Sequence, residues 1–128
     1  MEQLKQNKEF IVRYFNAISG VPKTRALMDK FATDESLIHH IEFFEAAFPK
    51  YELFADEITA EGNRVVLRAR FKGTHMGELS GIPPTHKTVE FQFAIGYEIE
   101  NNKIISHWLI ADQMGLMEQL GVLQGEAV

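Results

Sequence analysis

Cysteine is absent from this sequence. Disulfide staples, thiolate metal sites and a cysteine nucleophile are therefore excluded. Dense basic runs are absent too: the 13 lysines and arginines are scattered and the formal net charge is −5. A nucleic-acid-binding protein needs a concentrated positive face, so no nucleic-acid partner is expected. No apolar run approaches the length of a membrane span, and the opening Met1–Lys8 lacks the apolar core of a signal peptide. The expectation is a soluble, cytoplasmic protein. The five histidines show no HExxH or comparable spacing, and there is neither a glycine-rich phosphate loop nor a GxSxG elbow. No metal site is expected.

What is present describes an ordinary globular chain. Of its 128 residues 45% are hydrophobic and 24% charged. That is enough to bury a core without staples, in a single domain over residues 1–128. Leu4, Ile11, Tyr14, Phe15 and Ile18 recur at helical spacing, which predicts an amphipathic helix from about Glu2 to Ser19, closed by Gly20. A short helix over 24–31 presents Leu27, Met28 and Phe31. Asp34 is a candidate N-cap for a third helix carrying Leu37, Ile41, Phe44 and Phe48 and ended by Pro49. Strand patterns follow over 51–59 and 64–74. The stretch Gly73–Thr85 holds three glycines and two prolines, which predicts a long irregular loop of the kind that often carries function. Met114, Met117, Leu120 and Leu123 suggest a short last helix broken at Gly121. Helices followed by an antiparallel sheet imply an α+β fold with the helices on one sheet face.

The stretch Thr88–Asp112 organises the rest. Odd positions from Val89 to Ile99 are all apolar or aromatic, the period of a half-buried strand. Asn101-Asn102 suits the positive φ angles of a type I′ turn, and 103–111 returns. A two-residue loop fixes the register, pairing Glu100 with Lys103, Ile99 with Ile104, Tyr97 with Ser106, Ile95 with Trp108, Phe93 with Ile110 and Phe91 with Asp112. Paired residues share a face. Asp112 is thus expected on the apolar side with Phe91, Phe93, Trp108 and Ile110, and His107 on the far side beside Gly96. Gln92, Ala94 and Gly96 with His107, Leu109 and Ala111 would leave a small, apolar outer face suited to a homodimer through the sheet.

A carboxylate desolvated by Phe91, Trp108 and Ile110 would have a raised pKa suited to proton transfer. The alternative is that Asp112 caps the helix from Gln113 to Leu120, and the two roles can coexist. His75 starts the Gly-rich loop, within reach of a pocket mouth. His39 and His40 point about 100° apart on a helix, so one of them can look inward. Tyr14 and Tyr97 are core by default, but a buried phenol needs a partner and Tyr97 can lend its hydroxyl to a pocket.

These residues resemble a known family. Gly73-Thr74-His75, Gly77-Glu78, Gly81-Ile82-Pro83-Pro84-Thr85, the Lys103-Ile104 to His107-Trp108 segment, and Asp112-Gln113 with Gln119-Leu120-Gly121 look like the SnoaL-like polyketide or ester cyclases. Ala46-Ala47-Phe48-Pro49 fits as well. The resemblance implies the cone-shaped, cystatin-like α+β fold of the nuclear transport factor 2-like superfamily, a curved antiparallel-rich sheet wrapped on three N-terminal helices around a pocket. It also implies that Asp112 is the general acid/base of an intramolecular aldol cyclisation that uses no metal or cofactor. The resulting expectation is acid/base chemistry on a small apolar carbonyl or polyketide-ester substrate. Asp112 and His75 are its catalytic candidates, with Trp108, Phe91, Phe93, Ile110, Tyr97, Tyr14 and His40 around the ligand. A non-enzymatic ligand-binding module of the same fold, or a hydrolase or dehydratase of the superfamily, are the alternatives.

Overall fold

A computed structural model describes residues 2–121. Three helices come first: α1 (Glu2–Ile18), α2 (Arg25–Asp29) and α3 (Glu35–Ala47). Four strands follow, β1 (Glu52–Glu61), β2 (Arg64–Thr74), β3 (Thr88–Glu100) and β4 (Lys103–Ala111), and then α4 (Gln113–Leu120). The strands form one curved antiparallel sheet in the order β1-β2-β3-β4. This is the α+β architecture expected. Local chemistry sets the boundaries: the Thr24 hydroxyl accepts from the Leu27 N–H at the start of α2, and Asp34 accepts from the Leu37 N–H at the start of α3. Gly121 closes α4 in the left-handed conformation at φ 84°. Leu123, counted among the apolar positions of this helix, lies outside the described residues.

α1 buries Phe10, Ile11, Tyr14, Phe15 and Ile18 against the inner face of the sheet, where Val65, Leu67, Ala69, Ile95, Tyr97 and Ile99 receive them. A second cluster joins Phe48, Tyr51, Phe71, Val89 and Phe91 to Leu116 and Leu120 of α4. The inward alternation read from β2 and β3 is the one observed.

The hairpin departs from expectation at one residue. Asn101 and Asn102 turn at φ 50° and 59°, and Glu100 pairs with Lys103 and Ile99 with Ile104. Beyond that the register slips: Glu98 pairs with Ser106, Tyr97 with His107, Gly96 with Trp108, Ile95 with Leu109 and Phe93 with Ala111. Ile105 is the extra residue of a β-bulge, and a one-residue slip exchanges the faces of everything after it. Trp108 and Ile110 therefore point outward, 46% and 69% exposed. His107, Leu109 and Ala111 face inward instead of outward.

The cause lies in the linker between α2 and α3. Ile104 donates its N–H to the Phe31 carbonyl at 2.8 Å, and its own carbonyl accepts from Thr33 at 2.9 Å. The linker pairs with the start of β4 as a short parallel bridge, Ala32 to Ile104. This docking buries Ile104 completely. The strand absorbs one residue before resuming its ladder to β3.

On the outer face the Trp108 indole lies against Gly96, where a Cβ would run into the ring. Glycine is required here by close approach rather than by φ. Gly96→Ala is expected to cost about 1–3 kcal/mol through overpacking. It should also shift the emission of Trp108, the only tryptophan. The double variant Gly96→Ala/Trp108→Ala should recover most of that loss in urea denaturation; independent, additive losses would show that ring and glycine do not interact.

Candidate functional site

A cavity of about 290 Å³ opens between the inner sheet face and the helices, at the seam of the two core clusters. Since an engineered void of about 150 Å³ accommodates one benzene, the space suits a bicyclic molecule. Its walls are mainly apolar: Leu37, Ile41 and Phe44 from α3, Phe71 from β2, Phe91, Phe93 and Ile95 from β3, Leu109 from β4 and Leu116 from α4. Tyr51, Phe71 and Phe91 stack in a file, with successive centroids 4.6 Å apart. No Asp, Glu, Lys or Arg is among the lining residues. The polar ones are Tyr14, Tyr51, Tyr97, His40, Ser80 and Gln113.

Phe43, Ser80 and Gln113 both line the cavity and reach solvent, so the mouth lies where α3, the β2–β3 loop and α4 meet. Ser80 owes its position to a tight turn inside that loop. Leu79 and Ile82 exchange backbone hydrogen bonds of 3.0 and 2.8 Å across Ser80 (φ 46°) and Gly81 (φ 88°). The sequence predicted irregular structure there. A two-residue Ser-Gly turn between apolar neighbours was the available signal.

His40 sits half-buried on α3 against the Phe44 ring, 4.8 Å between centroids. Burial lowers its pKa, and the nearby His107 lowers it further. It is neutral at pH 7 and free to accept a proton. His107 lies opposite Tyr97 on the inner face and donates from Nδ1 to Asp34 Oδ2 at 2.7 Å, while Asp34 Oδ1 accepts from Leu37. One carboxylate therefore caps α3 and ties it to β4. The pairing spans the chain and depends on the bulge, so sequence spacing carried no trace of it.

Lys23 is another group the sequence did not single out. Its buried ammonium donates to the carbonyls of Tyr51 (2.8 Å) and Val21 (3.0 Å), meets Glu45 at 3.3 Å, and stands 3.9 Å above the Tyr51 ring. Burial lowers its pKa and Glu45 partly offsets this. Its effect is to fix Tyr51 as a cavity wall.

The expected site residues divide. Tyr14, His40, Phe91, Phe93 and Tyr97 all line the cavity. Trp108 and Ile110 do not, because the bulge turns them outward. Asp112 is exposed and outside the lining, and its Oδ1 accepts from the Gly115 N–H at 2.8 Å as the N-cap of α4. Its neighbour Gln113 is the residue that reaches the cavity. His75 is fully buried but is not at the mouth. It closes the β2–β3 loop: its Nδ1 accepts from the Thr85 N–H at 3.1 Å and its ring lies on Phe48. Burial lowers its pKa. Beside it, Gly77 passes so close to the Ala46 carbonyl that a Cβ would collide.

Two stability predictions follow from these contacts. Asp112→Ala should cost about 1 kcal/mol in chemical denaturation, whereas Asp112→Asn, an equally good cap, should cost little. For His75 the folded pKa lies below the unfolded value of about 6.5. The unfolded chain then binds more protons between the two values, so stability is full above about pH 6.5 and falls as the pH drops toward the folded pKa. His75→Gln should be less stable than wild type at pH 7.5 but show a flatter decline between pH 7 and 5. An unchanged slope would remove His75 from that decline.

Comparison with known proteins places this geometry. The family model described as SnoaL-like polyketide cyclase matches residues 24–120. Among solved structures, AclR from Streptomyces galilaeus, a proposed hydroxylase, superposes with a TM-score of 0.79 at 22% identity, covering 97% of this chain and 91% of that one. IdmH from Streptomyces antibioticus, a proposed polyketide cyclase, gives 0.75 at 21% identity, covering 91% and 99%. A proposed polyketide cyclase from Acidithiobacillus ferrooxidans gives 0.77 at 21% identity, covering 90% and 94%. At these identities the structures speak for a shared fold. No curated protein matches the chain. No described helix is long and apolar enough to cross a membrane. The family match spans most of the chain and the fold agrees with it along nearly the whole length: this protein belongs to the SnoaL-like polyketide cyclase family.

Proposed function

We propose that the cavity binds a small apolar carbonyl compound and that His40 removes a proton from the carbon next to the carbonyl. The observation that carries this reading is the composition of the wall. Among the lining residues His40 is the one imidazole, and burial lowers its pKa so that it stands neutral on an apolar surface. When the imidazole takes the proton, the C–H pair becomes the new C=C bond and the carbonyl pair moves to oxygen, giving an enolate. Attack of the enolate carbon on a second carbonyl of the same molecule forms a ring, and the imidazolium returns its proton to the alkoxide. Return to a different carbon gives an isomer instead. Both outcomes begin with the same proton transfer, worth ~10²–10⁴-fold in rate.

The resemblance assigns the acid/base to Asp112. As the cap of α4, outside the lining, that carboxylate would have to leave Gly115 to reach a ligand. Deuterium exchange of the α-protons of 1-indanone, followed by NMR in D₂O, separates the two assignments. Wild type should accelerate exchange, His40→Ala should lose that acceleration by ~10²–10⁴-fold, and Asp112→Asn should retain it. Loss in Asp112→Asn alone would return the role to Asp112. Binding with no acceleration in wild type would favour a ligand-binding module.

In the same reading a homodimer forms through the outer sheet face. There Val66, Trp108 and Ile110, respectively 38%, 46% and 69% exposed, cluster on β2 and β4 across the small residues Ala94 and Gly96. Sedimentation equilibrium should give a dimer for wild type and a monomer for Ile110→Glu. A monomeric wild type at micromolar concentration ends this assignment.

A further inference from the structure

All three tyrosines of the chain, from separate stretches of it, line this cavity. Tyr14 comes from α1, Tyr51 from the residue that precedes β1 and Tyr97 from β3. The Tyr14 ring meets the Tyr97 ring edge-on at 5.8 Å, and Lys23 fixes Tyr51 from behind. Tyr14 is near enough to disfavour ionisation of both Tyr51 and Tyr97, and Tyr51 adds to the effect on Tyr97. Each also lies among aliphatic and aromatic side chains in the core clusters. The Tyr14 hydroxyl, on a residue with 0% exposure, has no hydrogen-bond partner among the described residues. Buried hydroxyls are almost always paired, and phenylalanine at these positions would pack without that cost. Tyr14 is thus a buried donor without an acceptor, with the Tyr51 and Tyr97 phenols beside it on the same cavity wall.

We infer that the Tyr14, Tyr51 and Tyr97 phenols form an oxygen-binding end of the cavity, with Tyr14 as the central donor to a ligand carbonyl. The ligand class is then an apolar mono- or bicyclic ketone or ester that enters oxygen first. Burial raises the pKa of all three phenols, and for Tyr14 the charge of Asp34 adds to it. They stay protonated and act as neutral donors. A donor set of this kind matches an enolate oxygen better than a ketone oxygen, because charge grows on that atom as the neighbouring C–H breaks. The donation gains strength as the proton leaves. This inference rests on the cavity being the ligand site, so its test uses paired probes. 1-Indanone and indane share a shape and differ in the oxygen.

Binding to the full chain is measured by NMR titration for wild type, Tyr14→Phe and Tyr97→Phe, and the bound ketone's carbonyl stretch is read by infrared. Wild type should prefer indanone, with its stretch moved to lower frequency. Tyr14→Phe should lose about tenfold in indanone affinity, about 1.4 kcal/mol, and the stretch should move back up. Its indane affinity should not change, and its thermal midpoint should equal or exceed that of wild type. Tyr97→Phe should show a smaller change of the same sign. Indanone and indane bound equally well, or a stretch that ignores both substitutions, overturns the phenol assignment and leaves the cavity reading standing. Failure of both probes to bind wild type overturns the cavity reading and this inference with it.

Discussion

The short pairing between the α2–α3 linker and Ile104 decides how the inner face of this fold is composed. Three backbone hydrogen bonds, from Ile104 to Phe31 and from Thr33 and Asp34 back to Ile104, hold the start of β4 against the helical layer. A backbone group buried without a partner is costly, so these bonds outrank the preference of β4 for an unbroken ladder with β3. The bulge at Ile105 reconciles the two demands. Everything that distinguishes the cavity end of β4 follows from it, including the delivery of Leu109 to the wall and of His107 to Asp34.

The electrostatics of the interior follow from the same economy. Charged side chains are kept off the cavity lining: the buried Lys23 ammonium stands behind Tyr51, and on the outer face Arg68 and Arg70 meet Glu57, Asp56 and Glu90. The titratable groups of the cavity lining are phenols and an imidazole, which can be neutral at pH 7. Burial shifts their pKa values in opposite directions, phenols up and imidazole down, and in both cases toward the uncharged form. A wall of neutral donors beside a neutral base binds an apolar carbonyl compound without having to desolvate an ion first.

Most of the architecture was legible in the sequence because local rules fixed it. The helical stripe of α1, the Asp34 cap, the Asn-Asn turn and the period-two pattern of β2 and β3 each agreed with their surroundings. Phe91, Phe93 and Tyr97 face inward as the period of two predicts, because they lie on β3, whose facing never slips against β2. Trp108, Ile110 and Asp112 were misplaced together. Their facing was counted from the hairpin turn through Ile105, and one inserted residue inverts such a count. Two signals for the insertion were present: adjacent isoleucines at 104 and 105 break the alternation, and Gly96 leaves room for an aromatic ring on the outer face. The ties of Lys23 to Tyr51 and of Asp34 to His107 join residues 28 and 73 positions apart, and no local pattern encodes them.

The bulge also bears on how such chains diversify. A single codon lost at position 105 would restore the regular ladder and bring Trp108 and Ile110 inside, sending His107, Leu109 and Ala111 out. No side chain would change its identity, yet the cavity wall and the exposed face would exchange their residues on this strand. Indels at one site can therefore remodel a binding pocket as thoroughly as several substitutions. Relatives aligned through β4 without a gap at this point would have their inward and outward residues matched to the wrong partners.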